Sequence, residues 1–464
     1  MARSYCFVTY ELAPVNRGGA GVVVAALAEH LAARGETVHI LAEMPVPEIK
    51  QYRARARELG LSSLSVHACV DLAAPQSGRL TPYRSNSIRF RSALECLGNT
   101  HHLDVVEFCE YAGMGFDTLA NRPHSLRKTA IGVRLHGTLM GIDRAEGIYP
   151  TTARLAMYHQ ERWGMRLADF VLTPAAGTGD EYARTYGLDP GKVLLCPPPM
   201  NVILGQLGSP AARDETSRRI LFLGKLQHVK GCDLFVEAGV ILGERDDSLS
   251  FALIGPDVPT PRNTSTREEL EALIPPERVA SFYFLPPVQR QELAGVTSRY
   301  LCAVVPSRSE SFCLVAHELA RLGCPLVLAD ITAFRGEFQN NVDCVTFDGT
   351  VEGLVLGVER FTNDRGLAAR LSERARARTY QPLEPVYEGL AAGQPTSLEE
   401  LARWELDSAT ARAEAADAWE EPHAWRARPS VRRRVFDRGR RTVGSLRVMA
   451  ALFRQGTATR WPRS

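Results

Sequence analysis

Short apolar runs alternate with longer stretches of helical spacing along most of the chain. Cys6–Tyr10, Val38–Leu41, Val105–Phe108, Ala130–Leu135, Val171–Thr173 and Val193–Cys196 are short apolar runs and read as buried strands. Between them, Val22–Arg34 and Ala153–Leu167 carry apolar residues at the 3.6-residue period of a helix. A β-α-β-α order predicts a parallel sheet with helices on both faces. The pattern breaks at Pro197-Pro198-Pro199 and the polar stretch Gly208–Arg218, then restarts with Ile220–Leu223, Phe251–Ile254, Phe282–Leu285, Ala303–Val305, Leu326–Ala329 and Val345–Phe347. The fold class is therefore α/β, with two Rossmann-like domains expected over 1–204 and 205–378. After Thr379 the strands stop, and an Ala/Glu-rich helical pattern runs over Leu398–Trp419. Residues 379–425 are expected to form a helical extension that packs partly back on the first domain.

A length of 464 residues suits two domains, and 45% hydrophobic with 23% charged residues is the profile of a soluble globular protein. No apolar run reaches the ~18 residues of a membrane span. Met1–Tyr10 shows no basic region followed by an apolar stretch and a cleavage site, so a cytoplasmic location is expected. Ten cysteines include no Cys-x-x-Cys pair and lie mostly in apolar stretches, which reads as reduced core thiols. Charge changes the picture at the end of the chain. The overall net charge is +2, but residues 426–464 hold twelve Arg against one acid, Asp437, which leaves the first 425 residues at −9. Val431, Val435, Val443, Leu446, Ala450 and Phe453 would share one side of a helix there. Such a basic amphipathic tail can lie on an anionic membrane; the competing expectation is that it folds back on the acidic body or stays solvated. No nucleic-acid partner is expected.

Three loops carry candidate chemistry. Gly18-Gly19-Ala20-Gly21 follows the first strand and opens a helix, where glycines let a ligand approach the backbone and free N–H groups favour an anion. Gly224-Lys225-Leu226-Gln227-His228-Val229-Lys230-Gly231 follows strand Ile220–Leu223 and holds two of only five lysines in a chain with fifty arginines. Two ammonium groups before a helix over Cys232–Leu242 suit a diphosphate. The third loop begins at Pro306 and runs through Ser309-Glu310-Ser311-Phe312-Cys313-Leu314 to Glu318. A helix start is expected to offer N–H groups from Ser311 to Leu314, with Glu310 and Glu318 bracketing the phosphates. Carboxylates suit paired hydroxyls because each accepts several hydrogen bonds.

The stretch from Pro306 to Glu318, closed by Gly323-Cys324-Pro325 and a strand, resembles the Glu-x-seven-Glu signature of retaining GT-B glycosyltransferases, notably the family 4 type. Gly224-Lys225-Leu226 with Lys230-Gly231, Gly18-Gly19, Asp104–Glu107, Arg134-Leu135-His136-Gly137 and Ala168–Pro174 resemble that family's other motifs in the same order, over nearly all of residues 1–378. The resemblance implies two domains facing across a cleft, with Lys225 and Lys230 on the donor's diphosphate, Glu318 on its ribose hydroxyls and Glu310 on its sugar. His136 would lie beside the anomeric centre, its carbonyl or imidazole facing the developing positive charge. Gly18, Gly19, Ser311, Phe312, Cys313 and Leu314 would line the donor site, and His136 and Glu310 would be the catalytic pair. Three departures stand out: Lys225 where Arg is usual, Cys313 in place of Gly, and Pro197-Pro198-Pro199-Met200-Asn201 at the end of the first domain.

By this resemblance the chain moves a sugar from a nucleotide-diphosphate sugar, its donor substrate, to an acceptor hydroxyl. It does so with retention and needs no cofactor or metal. The acceptor is a glycan, a lipid-linked molecule or a small molecule. Two competing functions are an epimerase of the same shape, which would want acid and base groups in the first half, and a degenerate scaffold, which would bind no nucleotide. A pyridoxal-dependent phosphorylase would need a lysine for its cofactor, and only five are present.

Overall fold

The computed structural model describes residues 2–15, 18–73, 82–260, 263–392 and 407–414. The basic tail at 426–464 and most of the helical pattern at Leu398–Trp419 lie outside the described residues.

Seven strands form the first sheet: β1 (Ser4–Thr9), β2 (Thr37–Ala42), β3 (Leu64–Ala68), β4 (Val105–Cys109), β5 (Ala130–Arg134), β6 (Phe170–Thr173) and β7 (Val193–Leu195). Six form the second: β8 (Arg219–Leu223), β9 (Ser250–Ile254), β10 (Phe282–Leu285), β11 (Cys302–Val305), β12 (Leu326–Ala329) and β13 (Val345–Phe347). The spatial orders are β3-β2-β1-β4-β5-β6-β7 and β10-β9-β8-β11-β12-β13, and every pairing is parallel. β1 and β4 are buried along their whole length, which explains why they read as apolar runs. β3 is different: it is an edge strand whose residues alternate in exposure, and the apolar-run reading passes over it.

In each sheet the winding reverses beside the first strand of the domain, between β1 and β4 and between β8 and β11. In open α/β sheets the crevice outside the carboxyl ends of the strands, at such a reversal, is where ligands bind. The three motif loops sit there: the glycine loop follows β1, the Lys225–Lys230 loop follows β8, and the Glu310 loop follows β11.

The helix Glu384–Ala392 returns to the first domain. Its Tyr387 is fully buried and meets Tyr5 edge-on, with ring centroids 5.7 Å apart. The Tyr387 hydroxyl donates to Glu107 and accepts from Arg134 Nη2 at 2.9 Å, while Arg134 Nε donates to Glu107 Oε1 at 2.8 Å. Arg134 is 1% exposed, and this pairing supplies the counter-charge without which its burial would be costly. The helical turn 407–414 also lies on the first domain, where Trp163 Nε1 donates to Glu414 Oε2 at 2.8 Å.

Candidate active site

A cleft of about 1220 Å³ runs between the carboxyl ends of the two sheets. Its walls include Gly18, Gly19, His136, Lys225, Lys230, Glu310, Ser311, Phe312, Cys313, Leu314 and Glu318, so the structure gathers every sequence-predicted site residue around one space.

The Lys230 loop is built by backbone geometry. A short 3-10 turn, His228–Lys230, ends at Gly231 with φ 70°. A Cβ at Gly231 would lie 2.0 Å from the carbonyl oxygen of Pro306, so only glycine lets this loop pass so close to the end of β11. That approach brings Lys230 Nζ within 2.7 Å of Glu310 Oε1, which also accepts from Ser307 Oγ at 2.8 Å. Burial alone would pull the Lys230 ammonium down, but the Glu310 carboxylate outweighs it and holds the pKa above its ordinary value. Lys225 is exposed on the cleft wall, and among the described residues it makes no ion pair.

The helix carrying Glu318 spans Leu314–Arg321, so it begins three residues after the expected start at Ser311. Cys313 is its N-cap, with φ 68° and ψ 79°. This left-handed conformation disfavours a residue with a Cβ and explains why glycine is the expected occupant. Burial and the neighbouring Glu310 push the Cys313 thiol well above its ordinary pKa, so it is a neutral group beside the charged pair. Phe312 is buried with its ring stacked on His317 at 4.0 Å between centroids. Glu318 is 4% exposed, and both Arg290 Nε at 2.8 Å and Arg290 Nη2 at 2.6 Å meet its Oε1. Burial raises the Glu318 pKa, and Arg290 opposes that rise.

His136 sits just past β5, partly exposed to the cleft. Burial, then the field of Arg134, lower its imidazole to about 3, so it is neutral at any physiological pH. Its carbonyl is already engaged: Ser311 Oγ donates to it at 2.8 Å across the cleft. The imidazole therefore remains the freer of the two groups expected to face the anomeric centre. Thr178 Oγ1 donates to the Ser311 carbonyl at 2.7 Å, and Val229 N–H donates to Glu146 Oε1 at 2.8 Å. These bonds tie two motif loops of the second domain to the first domain.

Two buried glutamates, absent from the sequence reading, shape the His136 turn. Glu110 Oε1 accepts the N–H groups of His136 (2.7 Å) and Gly137. Glu161 accepts those of Ala112 (2.9 Å), Leu139 (2.6 Å) and Met140 (3.4 Å), and Thr138 N–H donates to Tyr182 Oη at 3.2 Å. Five successive N–H groups, 136 to 140, thus end on side chains. A further carboxylate, Glu11, lies against the glycine loop, where a Cβ on Gly18 would fall 1.6 Å from its Oε2. The start of the helix Gly19–Ala33 therefore faces a protein anion, and a phosphate there would have to compete with it.

The family model "Glycosyl transferases group 1" matches residues 209–378, and "Glycosyltransferase Family 4" matches residues 17–202. The chain belongs to the group 1 glycosyltransferases of GT-B fold. Curated relatives include the D-inositol 3-phosphate glycosyltransferase of Geodermatophilus obscurus, 31% identical over 39% of this chain and 42% of that protein. The enzyme of the same name from Actinosynnema mirum is 34% identical over 35% of this chain and 42% of that protein. The chain thus spans about two fifths of the length of these relatives. Among solved structures, sucrose-phosphate synthase from Thermosynechococcus elongatus aligns with a TM-score of 0.61 over 88% of this chain and 100% of that one, at 17% identity. Anabaena HepE in complex with UDP and glucose aligns with a TM-score of 0.60 over 84% of this chain and 99% of that one, at 14% identity. At such identities the likeness is one of fold. In this GT-B chain, no helix among the described residues is long and apolar enough to cross a membrane.

Proposed function

We propose that the chain transfers a glycosyl group from a nucleoside-diphosphate sugar to an acceptor hydroxyl, with retention and without a metal. The observation that carries this reading is the meeting of Lys230, Glu310 and Ser311 on one wall of the cleft with His136 on the other. The solved neighbour with UDP and glucose supports the donor class. The curated relatives support a polyol or polyol phosphate as one acceptor to try.

Loss of a diphosphate leaves positive charge on the anomeric carbon and negative charge on the leaving oxygen. Lys225, Lys230 and the N–H groups before Leu314 stabilise the leaving group, which is the larger electrostatic demand. The imidazole of His136, held neutral, adds no repulsion to the oxocarbenium-like centre. The acceptor oxygen bonds to the anomeric carbon on the face from which the phosphate departs; the C–O bond to phosphate breaks, and the acceptor proton passes to the leaving phosphate. This route needs no protein nucleophile. Its test is NMR of the first-formed product, with water as acceptor if no better one is known. The donor's anomeric configuration, formed also in EDTA, supports the reading; an inverted product or loss of turnover in EDTA overturns it. The basic segment 426–464 is proposed to bring the enzyme to anionic membrane surfaces.

A further inference from the structure

A carboxylate that is 4% exposed is poorly placed to remain an anion, yet a pair of hydroxyls is best held by one. We propose that Arg290 is a positioning residue that keeps Glu318 ionised and aims its second oxygen at a hydroxyl pair of the nucleotide donor. The inference rests on the donor reading above.

The geometry has three parts. Arg290 lies in the loop after β10, on the turn Arg290–Glu292, which a reciprocal capping box between Gln289 and Glu292 closes. The turn is therefore fixed before any ligand arrives. Its guanidinium places Nε and Nη2 on a single oxygen of Glu318, Oε1, while Nη1 donates to Gln206 Oε1 at 3.3 Å. Among the described residues no protein donor reaches Glu318 Oε2, and Glu318 lines the cleft. Oε2 keeps its lone pairs for a ligand, and the arginine holds the carboxylate's rotation.

The charges around Glu318 are few. Arg290 is the charged group that acts on it; Gln206 is neutral; and the neighbouring His317 turns away to stack on Phe312 and bond Tyr380 Oη at 3.0 Å. Burial pushes the carboxyl up and Arg290 pulls it down. Without the guanidinium the rise is unopposed, and the group would take up a proton nearer neutrality. A protonated Glu318 offers a donor and a weaker acceptor where the ligand needs two acceptances.

Two measurements test this. The first is the dissociation constant of a nucleoside diphosphate that stabilises the wild type, measured by calorimetry from about pH 6 to about pH 8.5 for wild type, Arg290→Met, Arg290→Lys and Arg290→Met/Glu318→Gln. Comparing each variant with wild type at the same pH cancels the ligand's own titration. Arg290→Met is expected to lose ~10-fold more affinity at the acid end than at the alkaline end, the effect of one pKa unit. Arg290→Lys should recover most of it, and the double variant should be flat with pH. The second is ligand-free: the Glu318 carboxyl titration, read by 13C NMR and assigned by its loss in Glu318→Gln. It should move up by about one unit or more in Arg290→Met. An affinity loss equal at every pH, or an unmoved carboxyl titration, overturns the proposal. If no nucleoside diphosphate binds the wild type, the donor reading fails, and the carboxyl titration still decides whether Arg290 keeps Glu318 ionised.

Discussion

Lys230 and Glu310 hold each other at 2.7 Å, so in the proposed function a donor diphosphate would share the ammonium with the carboxylate or draw it away. Removing either partner strands the other in a site where the Glu310 side chain is only 9% exposed. Lys230→Ala and Glu310→Ala should each lower turnover by at least ~100-fold, the scale of one preorganised electrostatic contact, while circular dichroism shows an intact fold. Activity near the wild-type level in either would remove these residues from the site. Cys313 gives a prediction of the opposite sign. Its φ of 68° is the left-handed conformation, which costs a residue with a Cβ ~1 kcal/mol or more relative to glycine. Cys313→Gly should therefore raise the urea midpoint, with nucleoside-diphosphate affinity unchanged or improved. A lower midpoint would mean that the thiol's packing beside Lys230 and Glu310 matters more than the backbone strain.

At the scale of elements, the turn 136–140 depends on acids far away in sequence. Glu161 is raised to about 8, first by burial and against the pull of three backbone N–H groups. The folded state thus keeps a proton that the unfolded chain releases above the ordinary glutamate value of 4.5. The contribution is stabilising below that value and is lost as pH rises toward 8. Glu161→Gln keeps an acceptor and cannot ionise, so its urea stability should decline less than the wild type's across that window; an identical pH slope would place the proton elsewhere. The same distances explain what could be read from sequence. Glu310 and Glu318 stand in one short stretch after a buried strand, and Lys230 stands between a strand and a helix, so pattern and resemblance found them together. Arg290 reaches Glu318 across 28 positions from a loop with no motif, and Glu161 reaches Ala112 across 49. Glu110 follows directly on β4, and that adjacency was the one local signal available. Strand β3 lacks a continuous apolar run because one of its faces is partly exposed. The later helix start follows from the backbone of Cys313, which a residue pattern does not display.

The whole molecule turns the carboxyl ends of its two sheets toward one cleft and ties the domains with Ser311 to His136, Thr178 to Ser311 and Val229 to Glu146. Beyond this body, the segment 426–464 carries a net +11 against a remainder of −9. If it serves a membrane surface, full-length protein should sediment with anionic liposomes at low salt, and a chain ending at His423 should not. Equal sedimentation of the two, or none by either, would leave an acceptor in solution as the better reading. In the proposed function the cleft holds a nucleoside-diphosphate donor on Lys230 and Glu318. Thermal and urea unfolding with UDP, GDP and ADP at saturating concentration decides whether it does. One of them should stabilise the wild type by about 2.7 kcal/mol at ~100 times its dissociation constant, and Lys230→Ala and Glu318→Gln should lose most of that gain. Stabilisation by none of the three, or an equal gain in both variants, would contradict it.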